Sequence, residues 1–195
     1  MESKFAFGKP ILKGGKLKVR ILRPIEYEAL RKGAAVLDNQ TNLDALLLSG
    51  LRYVEAQRFQ ENKDWLDASF IHLPEHAVHK AKRKQLERWV RLNPRGRTVM
   101  QFLFNVKKLP SWKTWSENLE RWAVRAGLDP VGLSPKTTRK TWESWLMTIY
   151  PEHSAEIFLN QGHTSMISLR HYLNMPFTEA DKAQMLEWTG GMYER

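Results

Sequence analysis

Prolines and glycines divide the second half of this sequence into segments of helical length, and this division constrains the fold more than any other feature. From residue 94 onward, the segments are bounded by Pro94, Pro110, Gly127, Pro135 and Pro151. Within them, apolar residues recur three and four positions apart, as on one face of an amphipathic helix. Ser111 suits a helix cap and Pro135 a first turn. The pattern predicts helices over about 99–107, 112–126, 135–149, 155–159, 165–173 and 178–188.

A basic first segment and a leucine-rich helix are expected near the start of the chain. Residues 1–22 place lysines and arginines between glycines, which predicts a basic flexible arm or a domain-boundary segment. Helical spacing follows over 24–33. The leucine-rich helix has Thr41 or Asn42 as its cap, breaks at Gly50 and resumes directly afterwards. A glycine at this break indicates a turn or a close approach of two backbones.

A small sheet is expected between the early and late helices. Its three strands are predicted near 59–61, 69–73 and 86–92. The basic segment 74–84 would form the hairpin tip between the last two strands. The fold class is therefore α+β, mainly α, with a small three-stranded antiparallel sheet over about 59–92. We expect a single domain over residues 23–195.

The charge of the chain favours an anionic partner. Lys and Arg number 31 against 21 Asp and Glu, which gives a net charge of +10. Nucleic acid is the first candidate, because basic side chains neutralise phosphates and release counterions. An anionic membrane surface is the second, but the sequence contains no apolar run of about 18 residues and no signal-peptide core. Without cysteine there is no disulfide or thiolate metal site, and a cytoplasmic protein without cofactors is expected.

Five residues could carry chemistry on a phosphate. Arg52 follows a glycine turn, and Lys136 and Arg139 share one face of a helix start, where free N–H groups favour anions. His163 follows a glycine, and Tyr172 lies nine residues after it among polar neighbours. Each has a plain structural alternative: a surface arginine, a solvated basic face, a structural histidine or a buried aromatic ring. The six histidines show no zinc-site spacing.

Together these residues suit the attack of a tyrosine on a phosphodiester. A tyrosine hydroxyl has a pKa of about 10, so as a nucleophile it needs cations or a base nearby. The transition state needs positive charge at the non-bridging oxygens, which arginines supply. The leaving 5′ oxygen needs a proton donor, and a lysine on a hairpin reaching into DNA is suited to that role.

In this order the residues resemble the catalytic domain of the tyrosine recombinase (integrase) family. The matching segments are Ser49–Ala56 (SGLRYVEA), Lys136–Arg139 (KTTR) and Gly162–Leu173 (GHTSMISLRHYL). The resemblance covers roughly residues 40–175 and includes the spacing from His163 to Tyr172. Most family members have histidine where this chain has Lys136. A lysine there resembles the archaeal and archaeal-virus integrase branch.

The resemblance implies a role for each residue. Tyr172, on a nucleophile helix over about 165–173, would attack the scissile phosphate and form a 3′-phosphotyrosyl link without metal or ATP. Arg52 and Arg139 would hold the non-bridging oxygens, with His163 assisting by hydrogen bonding. The freed 5′ hydroxyl of a partner strand would then reseal the DNA.

Two lysine roles follow from the same resemblance. Lys82, which precedes the third strand at a suitable distance, is preferred as the proton donor, with Lys80 and Lys84 as alternatives. Lys136 would add charge or a hydrogen bond. The implied partners are double-stranded DNA attachment sites and further copies of the chain, in a dimer or tetramer on DNA. The expected location is the host cytoplasm or nucleoid, with the protein encoded by a virus or plasmid.

Other functions and arrangements stay open at this point. A type IB topoisomerase uses the same chemistry, an inactive DNA-binding module could retain the residues, and an RNA-binding or ribosome-associated domain would also be basic. Only about 40 residues precede the first motif, fewer than the N-terminal DNA-clamping domain of integrases needs, so a catalytic fragment or a naturally minimal protein is expected. Residues 177–188 could pack within the same chain or on a neighbouring copy.

Overall fold

The computed structural model describes residues 7, 9–13, 18–77, 87–163 and 175–193. Its helices are α1 (Pro24–Gly33), α2 (Leu37–Ser49), α3 (Tyr53–Phe59), α4 (Pro94–Leu103), α5 (Trp112–Arg125), α6 (Thr137–Ile149), α7 (Ser154–Asn160) and α8 (Glu179–Thr189). Its strands are β1 (Ile11–Lys13), β2 (Val19–Ile21), β3 (Leu66–Asp67), β4 (Phe70–Leu73) and β5 (Arg88–Arg91). The mainly helical architecture with small antiparallel sheets confirms the predicted fold class. Across these residues, no helix is long and apolar enough to cross a membrane.

Helix α6 lies at the centre of the core. It packs against α2, α7, α8 and β2. Trp142, Trp145 and Leu146 are buried on it as predicted, while Ile149 is only partly buried. Burying a side chain of this size stabilises the fold by roughly 1.5–3 kcal/mol, because apolar surface leaves water. The first turn of α6 is therefore held in a fixed place, and that turn contains Arg139.

The start of α2 differs from the prediction. Thr41 and Asn42 lie inside the helix rather than at its cap, and the side chain of Asn42 donates to the carbonyl of Lys107. Val36 occupies the cap position and makes no side-chain capping hydrogen bond. Burial of the leucine-rich face supplies the stability that a cap would otherwise provide, since tertiary packing outweighs end effects in most protein helices.

The sheet contains three antiparallel strands in the order β3-β4-β5, but its first strand is not where the sequence predicts it. Residues 59–61 are not a strand, because Phe59 completes α3 and is fully buried at its end. The first strand is β3, which pairs Leu66 with Ile71 of β4. Strands β4 and β5 lie within the predicted segments. The hairpin residues 78–86 are outside the described part of the chain.

The predicted basic arm is a two-stranded sheet where the structure describes it. Strands β1 and β2 pair antiparallel. Arg20 is buried and forms an ion pair of 2.5 Å with the buried Glu26. Ile21 and Leu22 are fully buried, and the amide of Leu22 donates to Thr141 Oγ1 on α6 at 3.0 Å. Apolar residues between the cations thus attach this segment to the core, so its described part is not an irregular arm.

Helix α8 packs against α1 and α6 of its own chain. Trp188 is buried with its ring centroid 5.1 Å from that of Tyr27, and Met185 is buried beside it. Asn93 donates to the carbonyl of Trp188 at 2.7 Å, which ties the end of α8 to the start of α4. The described C-terminal segment, residues 175–193, is therefore part of the core of the same chain.

Candidate functional site

Four of the six predicted catalytic residues line one cleft of about 250 Å³. The cleft is lined by Arg52, Tyr53, Val54, Trp112, Pro135, Lys136, Arg139, Lys140 and His163. Four separate parts of the chain therefore meet here: the start of α3, the start of α5, the start of α6 and the segment after α7. Tyr172 and Lys82, together with the alternatives Lys80 and Lys84, lie outside the described residues.

Arg139 is held by the C-terminal ends of two helices. Its Nη1 donates to the carbonyl of Gly50 at 2.7 Å, and its Nη2 donates to the carbonyl of Gln161. Gly50 and Gln161 follow α2 and α7 directly, where carbonyls lack partners within the helix and the helix dipole favours a cation. Burial lowers the pKa of Arg139 to about 10, so the side chain remains cationic at neutral pH.

Arg52 is held from two sides at the start of α3. Its Nη1 donates to Glu55 Oε1 at 2.6 Å, and its Nη2 donates to the carbonyl of Gly162 at 3.3 Å. The carbonyl of Gly162 belongs to the residue directly before His163. Arg52 and His163 are therefore linked through the backbone, although they are far apart in the sequence.

Both glycines of the predicted motifs have backbones that other residues rarely adopt. Gly50 has φ of +58°, and a Cβ there would lie 2.3 Å from Gln161 Nε2. Gly162 has φ of +62°, and a Cβ there would lie 3.0 Å from Arg88 Cδ. The predicted turn at Gly50 is confirmed, and the group that lies close to it is the side chain of Gln161 rather than a second backbone. A side chain at either position would displace the carbonyls that hold the two arginines.

Glu55 is a central residue of the site that we did not predict from the sequence. It is fully buried, and besides Arg52 it accepts a hydrogen bond from Arg88 Nη2 at 2.7 Å. Burial opposes its charge, but Arg88, Arg52 and Arg139 outweigh burial and hold the pKa of Glu55 at about 2. An acidic residue in the first turn of a helix, three positions after Arg52, was the available sequence signal.

The low pKa of Glu55 predicts acid sensitivity. Its ordinary pKa is 4.5 and its folded value about 2, so its contribution to stability is complete above pH 4.5 and is lost as pH falls towards 2. The difference corresponds to about 3 kcal/mol. In urea unfolding at pH 7 and at pH 3, Glu55→Gln should lose stability at pH 7 and show a weaker pH dependence than the wild type.

The matched control for this measurement is Glu61→Gln. Glu61 forms an exposed ion pair with Lys108 at 3.1 Å, so its replacement should leave the pH dependence unchanged. An acid sensitivity of Glu55→Gln equal to that of the wild type would show that Glu55 does not carry the acid-labile stability.

His163 lies against a second buried carboxylate that the sequence did not single out. Its Nε2 is 2.7 Å from Glu143 Oε1, and Lys140 Nζ donates to Glu143 Oε2 at 3.2 Å. Burial raises the pKa of Glu143, but His163, Lys140 and Arg139 outweigh burial, and the pKa lies below its ordinary value. Glu143 follows Arg139 by four positions, which places both on one face of α6.

Aromatic and apolar side chains line the cleft together with these cations. Lys136 is exposed at the cap of α6, beside the buried Pro135. Trp112 is 45% exposed and packs edge-on against Tyr53, with ring centroids 5.7 Å apart. The lining thus combines cations (Arg52, Lys136, Arg139 and Lys140, here called the cationic side of the cleft) with aromatic rings, which suits a phosphate attached to a sugar or base. Over the residues that the structure covers, no cluster of three His, Asp or Glu could hold a metal ion.

The fold of this chain is similar to the catalytic-domain fold of a solved integrase. A solved structure with this fold is the Tn1549 transposon integrase (residues 82–397) in complex with circular intermediate DNA. The TM-score is 0.59 at 15% sequence identity, over 86% of this chain and 66% of that chain. The likeness establishes the fold, and this chain spans about two thirds of the solved chain. No protein-family model and no curated protein sequence matches the chain.

Proposed function

We propose that this chain is the catalytic domain of a site-specific DNA recombinase of the tyrosine recombinase type. It would cleave and rejoin DNA strands through a covalent 3′-phosphotyrosine intermediate. The observation that carries the proposal is the meeting of Arg52, Lys136, Arg139 and His163 around one cleft. These residues come from three separate segments, and the fold that joins them is shared with an integrase solved in complex with DNA.

The cationic side of the cleft suits the charge that develops during phosphoryl transfer. A phosphodiester transition state carries negative charge on its non-bridging oxygens, and fixed donors stabilise that charge without reorganisation. Arg139 and Arg52 are fixed donors, because backbone carbonyls and Glu55 hold their guanidinium groups. We assign these two arginines to the non-bridging oxygens. His163 would donate a further hydrogen bond.

The surroundings of the other tyrosines support Tyr172 as the nucleophile. The chain has five tyrosines, and the other four are buried in the core. Tyr27 donates to Asp44, Tyr53 to the carbonyl of Pro110 and Tyr150 to the carbonyl of Thr189, while the hydroxyl of Tyr193 accepts from Asn160. Burial also raises the pKa of Tyr27, Tyr53 and Tyr193. None of these four hydroxyls is suited to attack DNA.

The remaining roles are part of the same proposal. Lys82, or its neighbour Lys80 or Lys84, would protonate the departing 5′ oxygen, and Lys136 would add a cation at the mouth of the cleft. The partners would be double-stranded attachment sites and further copies of the chain, assembled on DNA in the cytoplasm or nucleoid. We propose residues 23–195 as one catalytic domain, of the archaeal or archaeal-virus integrase branch.

Covalent trapping tests the proposal. A pool of duplexes with randomised sequence around a nick is incubated with the protein, so that cleavage near the nick releases a short strand and prevents rejoining. We expect an adduct that resists denaturant, is removed by protease, forms equally in EDTA, and becomes enriched in one sequence over repeated selection. The absence of any adduct would overturn the proposal, and loss of cleavage in EDTA would indicate a metal-dependent nuclease instead.

The same preparation separates recombination from topoisomerase activity. A supercoiled plasmid without the selected sequence should stay supercoiled in the presence of the protein. Relaxation of that plasmid would favour a type IB topoisomerase, which uses the same covalent chemistry without a specific site.

A further inference from the structure

A buried carboxylate lies directly behind the cationic side of the cleft. Glu143 has no exposed surface, although it is surrounded by residues that line the cleft. Its two oxygens contact different cleft residues: Oε1 lies 2.7 Å from His163 Nε2, and Oε2 accepts from Lys140 Nζ at 3.2 Å. The carboxylate therefore connects His163, in the segment after α7, with the first turns of α6.

The contact between His163 and Glu143 is an ion pair at hydrogen-bonding distance. His163 Nε2 and Glu143 Oε1 are 2.7 Å apart, and neither atom has another hydrogen-bond partner within the described residues. A buried carboxylate without compensation is costly, so an ionised Glu143 requires cations at both oxygens. The pKa of Glu143 lies below its ordinary value despite burial, which indicates the ionised form at neutral pH.

Charged groups approach this pair from several described elements, including Arg88 of β5, which packs against Gly162, and Glu55 of α3, which pairs with Arg52 and Arg88. Lys140 and Arg139 face Glu143 from its own helix, and His163 faces it from the segment after α7. His163 is in turn near Arg52, which donates to the carbonyl of Gly162. Lys140, Arg139 and Arg52 are thus the cations near this pair, and Glu143 is the carboxylate in contact with the imidazole.

We propose that Glu143 is a positioning residue that keeps His163 protonated and oriented, and Lys140 in place, at the phosphate-binding side of the cleft. Only an imidazolium carries N–H on both ring nitrogens. With Nε2 turned towards Glu143, Nδ1 can donate to a phosphate oxygen only when the ring is protonated. This inference rests on the proposed recombinase function for its role in catalysis, but the pairing itself can be measured without DNA.

Proton NMR of the histidine rings in the free protein tests the pairing. The His163 signal is assigned from its absence in His163→Asn, and its titration is compared in the wild type and Glu143→Gln. We expect the protonation midpoint of His163 to fall by about one pH unit, which is a roughly tenfold weaker proton affinity. Glu143→Asp keeps the charge and should give a smaller change, and it replaces Glu143→Gln if that variant does not fold.

Glu156→Gln is the matched control for this titration. Glu156 contacts His153 Nδ1 at 3.2 Å in an exposed pair, so its removal should leave the His163 titration unchanged. An unchanged His163 midpoint in both Glu143 variants would overturn the inference, whatever the activity of the protein towards DNA.

Covalent trapping across pH then tests the catalytic role. Cleavage by Glu143→Gln should be reduced about tenfold at pH 7.5, and should recover as the pH is lowered by about one unit, because acid restores the imidazolium. An equal loss of cleavage at every pH would show that Glu143 has only a structural role, which would overturn the inference. If no adduct forms with the wild type while the NMR shift is present, the recombinase function fails and the pairing stands.

Discussion

Replacing Tyr172 by phenylalanine is expected to abolish the covalent protein–DNA adduct while DNA binding is retained. The change removes one hydroxyl, and without a nucleophile no phosphotyrosine can form. The other tyrosines cannot substitute for it, because all four are buried and their hydroxyls already have hydrogen-bond partners. The adduct is measured on denaturing gels with the selected nicked duplex, and binding by gel shift.

Tyr193→Phe is the matched control for this change. It removes a hydroxyl that accepts a hydrogen bond of 3.4 Å from Asn160, on the side of the core formed by α7 and the C-terminal segment. We expect this variant to form adduct at the wild-type rate. An adduct that persists in Tyr172→Phe would exclude Tyr172 as the nucleophile, even if the fold and the recombinase function were otherwise correct.

Replacing Arg139 by lysine is expected to lower the rate of adduct formation by about 10²–10³-fold, the usual effect of losing one transition-state donor. Lysine keeps the positive charge, but its single ammonium cannot match a planar guanidinium that donates to two carbonyls and a phosphate at once. The carbonyls of Gly50 and Gln161 would also lose a donor inside the core. We therefore expect a lower melting temperature as well as slower cleavage.

Arg20→Lys separates these two effects. Arg20, like Arg139, is buried and donates to a backbone carbonyl, that of Asp129, and in addition it forms an ion pair with Glu26. It does not line the cleft. This variant should lose stability but cleave at the wild-type rate below its melting temperature. If Arg20→Lys and Arg139→Lys lose cleavage equally, the slower cleavage by Arg139→Lys results from its lower stability alone.

Local patterns predicted most of the described helices, and tertiary context explains where they failed. The helix expected over 99–107 is α4, Pro94–Leu103, and the helix expected over 165–173 lies outside the described residues. The Ser111 cap and the helix after it are confirmed, because a capping side chain and a period of 3.6 residues act within a few positions. The proposed strand at 59–61 was wrong because Phe59 is buried as the last residue of α3. The sequence of one short apolar segment does not indicate which other helix or strand will pack against it.

The basic first segment shows the same limit. Its lysines and glycines predicted a flexible arm, yet β1 and β2 pair with each other and Leu22 bonds to α6 through Thr141. What holds this small sheet in place is α6, which is distant in the sequence and packs against β2 and Leu22. Composition alone does not contain that information.

For the candidate site, the sequence was sufficient to name the cations and the glycines. Arg52, Lys136, Arg139 and His163 were selected from residue type and order together with the resemblance to the tyrosine recombinase family, and a glycine two positions before Arg52 indicated a special turn at Gly50. These are local properties, since the conformation of a turn and the face of a helix depend on a few consecutive residues.

Only the tertiary structure identified what holds those cations. Glu55, Arg88 and Glu143 come from two helices and a strand, and nothing in their local sequence indicates that they are buried together behind the cleft. A carboxylate is stable inside a protein only if cations from elsewhere in the chain reach it. Whether they do so depends on how α3, α6 and β5 pack, which is a property of the whole fold.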